Sequence, residues 1–447
     1  MSARTHGFGR ASVRPGARAS FKVRGVEGWR GAACLLVVAY HVWQNMDVDG
    51  DGLGPVGGNP HLLSAILSVD VVVDLFFVLS GLLLFLPFAH AALDDDRPVP
   101  SRREFLWRRC VRLFPVYWVL VLLCWSTRNF GLGTAQWRDL LEHLALVQAF
   151  DSERIFYTIG PAWTLSIEWI FYLSLAAIGP ATVLWVRRLR DRGDRVTRLL
   201  IVLALVAAAS LLFKLNVQWV WQIPVTDWAW RFGPAAKADD FALGMALAVV
   251  MVALGDRRPP LVVTPLLAAA GAALIYNARV RTVPDPDSLL VIWRHPMAAL
   301  GWCLVLAAIM TCRSDAPARW IDNAVAVRIS ILAYTIYLVH EPVILLFVDL
   351  GLLPADPSYY PVNLLAVTVA TIGAAWVLHR AVEEPWVDLA ALQARGGGRR
   401  DLYAEIADHA PPVAGSVAGT SLLRGRVLQA RGTRAASVVV ETAGGVR

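Results

Sequence analysis

The sequence predicts an all-α integral membrane protein, and three observations carry that prediction. Of 447 residues, 57% are hydrophobic and only 17% are charged, too few charges to cover the surface of a soluble protein of this length. Several apolar runs reach about 18 residues or more, enough for a helix to cross a hydrocarbon core roughly 30 Å thick. The sequence has no alternating ten-residue patterns of the β-barrel kind, so helices are the expected spanning element.

Apolar runs bounded by charged breaks place about ten helices. The first lies near 26–45 and contains CLLVVAY. The second, near 62–88, contains VDVVVDLFFVLSGLLLF. The third, near 111–127, follows the basic stretch SRREFLWRR, and the fourth, near 162–184, opens with the end of GPAWTLSIEWIFY. Helices five to eight lie near 198–214, 239–254, 261–277 and 289–311, each bounded by charge. The ninth, near 327–349, carries YTIYLVHEP, and the tenth, near 361–382, runs up to VEEP.

The connections separate by charge. SRREFLWRR (101–109), RRLRDRGDR (187–195), GDRR (255–258) and RSDAPAR (313–319) fall on one side with the basic N-terminal tail, whereas the segments around 46–60 and 350–360 hold no Lys or Arg. The positive-inside rule then puts both termini in the cytoplasm, which requires an even number of spans. Residues 1–24 read as a retained basic cytoplasmic tail, since no small-residue cleavage site closes the apolar run that follows. Residues 25–389 form the membrane domain. Residues 390–447, rich in Ala, Gly, Arg and Val without sustained periodicity, read as a largely disordered cytoplasmic tail. No internal repeat suggests a transporter built from two related halves.

Composition excludes other classes. The five cysteines, Cys34, Cys110, Cys124, Cys303 and Cys312, are scattered and form neither a disulfide framework nor a zinc motif. A net charge of +7 is explained by topology rather than by nucleic acid, because the positive residues flank apolar runs.

An ionisable residue inside lipid costs at least about 2.5 to 3.5 kcal/mol near the helix centre, so each one calls for a partner or a function. Arg30 and His41 are eleven residues apart, hence about 20° apart around the first helix and about 16 Å apart along it. They share one face at two depths, the arginine near the cytoplasmic boundary and the histidine in the outer half. A snorkelling arginine and a hydrogen-bonded packing histidine explain them equally well. Asp74, Ser80 and Gly81 lie in the second helix, where a Ser-Gly pair is most simply a close-packing point or a bend. Arg109 and Arg112 lie one turn apart on the third helix, placed to hold phosphates or to satisfy anionic lipid. Ser166 and Glu168 enter with the fourth helix, and a carboxylate at that depth is hard to explain as packing. Tyr334, Tyr337 and His340 recur every three residues on the ninth, consistent with Tyr-His hydrogen bonding between helices. HEP lacks the second histidine of HExxH and is no zinc motif. Glu383 and Glu384 are explained equally well by pairing with neighbouring arginines. Together these residues form a basic inner layer (Arg30, Arg109, Arg112) and an outer polar layer (His41, Glu168, His340).

These motifs resemble the acyltransferase-3 family of integral membrane acyltransferases from about Val26 to Trp386. EGWRG followed by His41 fits that family's D-G-x-R-G pattern with a histidine eleven positions after the arginine, Glu27 standing for the usual aspartate. FFVLSG (76–81) fits the second-helix signature, and RRCVRLFPVYW fits RxxR-x-x-P-x-Y. WTLSIEWIFY fits W-S-L-S-x-E-x-x-F-Y with Thr164 at a position often serine, and DDFALGMALA fits D-x-F-x-x-G-x-x-x-A. AYTIYLVHEP and VEEP fit the S-Y-S-x-Y-L-x-H-x-P and E-x-P elements, with Ala333 departing from serine.

The resemblance implies about ten transmembrane helices in the cytoplasmic (inner) membrane. It also implies acyl transfer, most commonly of acetyl, from cytoplasmic acyl-CoA to a hydroxyl of a cell-envelope glycan, a glycolipid or a small secreted natural product. Some members carry a fused extracytoplasmic hydrolase-like domain; nothing after the tenth helix reads as one, so the stand-alone type is expected, and no metal motif is present to suggest a metal. In that reading Arg30, Arg109, Arg112 and Ser80 serve the donor, His41 is the general base and Glu168 orients the imidazole or stabilises its charged form. Glu27, Ser166, Tyr334, Tyr337, His340 and Glu383 support the site or meet the acceptor. A covalent acyl-histidine route stays open beside direct transfer. The competing reading is a transporter that flips a glycan or lipid-linked sugar without chemistry.

Overall fold

The computed structural model describes residues 23, 25–46, 68–129, 135–224, 226–280 and 289–389. The readings made for the two tails and for the 47–60 connection lie outside the described residues. Among the described residues, eleven helices of ten or more residues follow one another: α1 (Val26–Asn45), α2 (Val72–Leu93), α3 (Arg102–Cys124), α4 (Ala135–Leu144), α5 (Trp163–Val186), α6 (Arg192–Leu215), α7 (Ala238–Leu254), α8 (Val263–Val280), α9 (Leu289–Thr311), α10 (Ala324–Asp349) and α11 (Tyr360–Leu378). Among the described residues there is no strand. All but α4 correspond to the ten apolar runs of the sequence. Seven of them, α2, α3, α5, α6, α9, α10 and α11, are long and apolar enough to cross a membrane, whereas α1, α7 and α8 fall short in length or hydropathy.

Helix ends differ from the sequence reading where polar residues start a helix. SRREFLWRR is not a loop but the first two turns of α3, which begins nine residues earlier than its apolar run. Ser101 caps it by accepting from the Glu104 N–H. Asp191 caps α6 through the Asp194 N–H at 3.0 Å, and Asn323 caps α10 through the N–H groups of Val325 and Ala326. A hydropathy pattern registers where a helix enters lipid, whereas caps and good helix formers decide where it begins.

The helices alternate in direction. At one end, Arg187 at the close of α5 donates to the Ala91 carbonyl at the close of α2, and Arg192 at the start of α6 donates to the Val252 and Ala253 carbonyls at the close of α7. Arg258, ahead of α8, donates to the Met310 carbonyl at the close of α9. Arg195 forks onto Asp95 at 2.7 Å, and that hydrogen bond holds the exposed Asp95 carboxyl below its usual range. This basic end also holds the start of α1. Its first N–H groups, those of Gly25 and Gly28, donate at 2.8 and 2.9 Å to the Asp322 carboxylate just before α10. A carboxylate there meets the positive end of the helix dipole and satisfies two orphan donors. At the opposite end Tyr360, at the start of α11, donates to the Ala39 carbonyl of α1, and Arg128 pairs with Asp349 at 3.6 Å.

Backbone contact between helices requires residues without side chains. A Cβ on Gly244 of α7 would collide with the Val78 carbonyl of α2, and one on Gly81 of α2 would collide with the Phe241 carbonyl of α7. The glycine of FFVLSG and that of DDFALG are thus two halves of one contact, as small residues are at close helix crossings. Gly28 and Gly31 of α1 likewise lie against the carbonyls of Ile321 and Ala326.

Gly244→Val should therefore overpack the α2–α7 crossing and cost on the order of 1–3 kcal/mol or more. Gly373→Ala, whose added Cβ meets open space, should be neutral. Denaturant unfolding of the two purified variants in one detergent checks this, and equal midpoints would contradict the contact.

Candidate functional site

A cavity of about 170 Å³ opens among five helices. α2 forms its long wall with Val73, Phe76, Phe77, Leu79, Ser80, Leu83 and Leu84. Those positions extend about 16 Å along the helix at 1.5 Å per residue. Across from it stand Arg30 of α1, Arg109, Arg112 and Leu113 of α3, and Thr164, Leu165, Glu168 and Tyr172 of α5. Ala333, Tyr334 and Tyr337 of α10 complete the lining.

Three guanidinium groups and one carboxylate give the lining a positive excess. Arg30 lies within electrostatic reach of both Arg112 and Glu168, and its Nη1 is 3.5 Å from Glu27. Arg109 projects over the Phe105 ring at 5.9 Å. One turn of α3 separates Arg109 from Arg112, so the same face delivers both into the cavity. Glu168 is anchored in the middle of the wall, accepting from Ser80 Oγ at 2.6 Å and from the Tyr172 hydroxyl at 2.8 Å.

The tyrosines of α10 lock its register. Tyr334 donates to the Leu113 carbonyl of α3, and Tyr337 donates to the Pro161 carbonyl at 3.2 Å with the Thr164 hydroxyl 3.0 Å away. Beyond Tyr337 the rings of His340 and His41 meet edge to face, their centroids 4.9 Å apart and their planes at 79°. His340 is fully buried and His41 half-buried. The Tyr337 and His340 rings are 5.8 Å apart, so the imidazole pair adjoins the cavity behind Tyr337.

Seven of the residues singled out from sequence share the lining: Arg30, Ser80, Arg109, Arg112, Glu168, Tyr334 and Tyr337. The other five lie outside it. His41 and His340 form the adjoining pair. Ser166 is fully buried, and its hydroxyl has no hydrogen-bond partner among the described residues. Glu27 accepts from Ser330 and so ties α1 to α10. Glu383, in a π-helical turn after α11, accepts from Thr335 of α10 at 3.1 Å and contacts His379 at 2.8 Å.

Two expected pairings differ. The hydrogen bonds of Glu168 go to Ser80 and Tyr172, while the ring against His41 is that of His340. α5 directs its carboxylate at the α2 wall, and α1 meets α10 instead. Glu383 engages Thr335 and His379 where an arginine was the simple expectation, because the π turn rotates it toward α10. Its neighbour Glu384 takes Arg380 at 2.7 Å. Ser80 and Gly81 do different work: the glycine makes the close contact with α7, and the serine faces the cavity.

Sequence reasoning did not single out Tyr172 or Thr164 as site residues, although both belong to the WTLSIEWIFY element. The signal for Tyr172 is its i,i+4 position relative to Glu168. Glu341 of HEP accepts from the Gly160 N–H and fastens the entry of α5 to α10. Asp74, noted in sequence without a partner, is held by Lys237 at 2.9 Å and by His295 at 2.9 Å. Among the described residues no group of three or more His, Cys, Asp or Glu side chains is placed to hold a metal ion.

Ser80→Ala removes one of the two donors on a carboxylate, and a hydrogen bond to a charged group is worth about 1.5–3 kcal/mol. The variant should lose stability in that range by chemical unfolding in detergent, and Ser80→Thr, which keeps the hydroxyl, should lose less.

Searches of curated proteins and of solved structures find no match to the chain. The family model described as an acyltransferase domain, that of acyltransferase-3, matches residues 23–380 and so takes in every helix from α1 through α11. With its arginine-lined cavity set in an all-helical, multi-pass bundle, the chain belongs to the acyltransferase-3 family of membrane acyltransferases.

Proposed function

We propose that the protein transfers an acyl group, acetyl in the leading case, from acyl-CoA to a hydroxyl of a cell-envelope glycan, a glycolipid or a secreted natural product. The observation that supports this reading best is the polarity of the cavity. It begins at three arginines and reaches Tyr337, behind which two imidazoles meet. In this reading the basic end of the bundle faces the cytoplasm, in a cytoplasmic membrane. Arg30, Arg109 and Arg112 hold the phosphates of the CoA moiety by charge-assisted hydrogen bonds. The acyl-bearing arm then follows α2 toward His41, which lies about 16 Å beyond Arg30 along α1.

At the far end the acceptor hydroxyl oxygen attacks the thioester carbonyl carbon, the C–S bond breaks and an ester forms. His41 takes the hydroxyl proton as the C–O bond forms and returns it to the departing thiolate, which leaves as CoA thiol. General base catalysis of this kind contributes about 10² to 10⁴ in rate, and imidazole suits it because its ordinary pKa lies near neutrality. Ser80 and Tyr172 hold Glu168 against the cavity wall, where its charge offsets part of the arginine excess.

Membranes containing the protein, supplied with radiolabelled acetyl-CoA, should yield extractable acylated product. His41→Gln should lower that yield at least about a hundredfold at equal expression. Full transfer by His41→Gln would overturn the assignment of the base. A transporter acting without chemistry would leave all label in CoA.

Arg109→Ala and Arg112→Ala should each raise KM for acetyl-CoA about tenfold or more, the loss of one charge-assisted contact, with a smaller change in kcat. Initial rates against donor concentration read this directly. Unchanged KM in both variants would remove the donor from this cavity.

A further inference from the structure

We propose that His340 is the positioning residue for the transfer, its unpartnered Nε2 accepting a hydrogen bond from the His41 imidazolium as that cation forms. The inference rests on His41 being the base and gives it the partner that the sequence reading had sought in Glu168.

The tautomer of His340 follows from its one hydrogen bond. Nδ1 lies 3.2 Å from the Ile336 carbonyl, one turn back on α10, and a carbonyl can only accept. Nδ1 therefore carries the hydrogen, and Nε2 presents a lone pair. That Nε2 is buried with no hydrogen-bond partner among the described residues, in a side chain with no exposed surface. A buried acceptor left unpaired is costly, and such groups in native structures call for an explanation. The neighbouring ring is that of His41, 4.9 Å away. Neutral His41 need not donate to it. Once His41 has taken the acceptor's proton, both of its nitrogens carry hydrogens, and one of them can turn to the waiting Nε2.

Other polar groups on α1 and on other helices have packing or hydrogen-bond partners of their own. On α1 itself Tyr40 packs 5.5 Å from the imidazole. From α11, the Tyr360 hydroxyl is committed to the Ala39 carbonyl. On α10, Tyr337 is committed to Pro161 and Glu341 to the Gly160 N–H. Asp74 of α2 is committed to Lys237 and His295, and Glu168 of α5 to Ser80 and Tyr172. No proton is gained or lost overall: the hydroxyl O–H breaks, the proton rests on His41 while His340 accepts from it, and it passes to the thiolate.

The test compares His340→Phe, which keeps a ring but has no acceptor, with His340→Gln, which keeps an acceptor without the ring. His340→Phe should lower kcat about 10- to 100-fold with KM for acetyl-CoA within about twofold. The imidazolium loses its acceptor, so the acid limb of the kcat–pH profile should move about one unit to lower pH. His340→Gln should restore part of kcat and return the limb toward its original position. His340→Met replaces the phenylalanine variant if that one fails to fold, since it too leaves His41 without a strong acceptor. An unchanged kcat, or a lowered kcat with an unmoved acid limb, overturns the proposal, the second outcome meaning that His340 only packs. Activity retained in His41→Gln would instead overturn the base itself, so the two failures are distinguishable.

Discussion

Charge buried in an apolar bundle must be partnered, and the arrangement of this protein depends on how it meets that constraint. Asp74 lies between Lys237 and His295, tying α2 to the start of α7 and to α9. Lys214 of α6 meets Asp239 of α7 at 2.6 Å, and Glu27 joins α1 to α10 through Ser330. These contacts are tertiary cross-links as much as polar pairings, because each joins different helices. In the cavity the balance is different: three arginines share the lining with one carboxylate. The proposed binding of the donor's phosphates rests on that excess of guanidinium groups over carboxylates in the lining.

The same cross-links set the relative heights of the helices. Asp322 fixes the start of α1, Glu341 fixes the entry of α5, and Tyr334 fixes α10 against α3. The Gly81–Gly244 crossing lets α2 and α7 approach to backbone contact, which turns the Ser80 side of α2 toward the arginines of α3 and the carboxylate of α5. Packing and site are therefore one design. The residue that allows close approach and the residue that faces the cavity are adjacent in the chain.

Two imidazoles at the far side of the cavity complete the polarity on which the proposed transfer relies. The proposed base, in so apolar a place, needs help to hold a proton even briefly, and a second imidazole with its lone pair buried is a fitting neighbour. A carboxylate beside the base would bind the proton more firmly. Here the carboxylate of Glu168 takes its hydrogen bonds from Ser80 and Tyr172, in the lining it shares with the arginines.

The class of fold, the ten apolar helices and the residues of the basic layer are legible in the sequence. Apolar length is a requirement of the bilayer, and helical phase places Arg30 with His41 and Arg109 with Arg112 whatever surrounds them. It did not determine where polar helix starts lie, as α3 shows, because caps act locally without apolar signal. Nor did it determine partners. That Glu168 binds Ser80 and Tyr172, that Asp74 binds Lys237, and that His41 meets His340 depends on which helices touch and at what height. Periodicity states which face a residue occupies. What stands opposite is settled by packing, because a helix of the same phase can be rotated or shifted by one turn at little local cost, and the choice among those positions is made by the glycine contacts and buried charge pairs of the bundle.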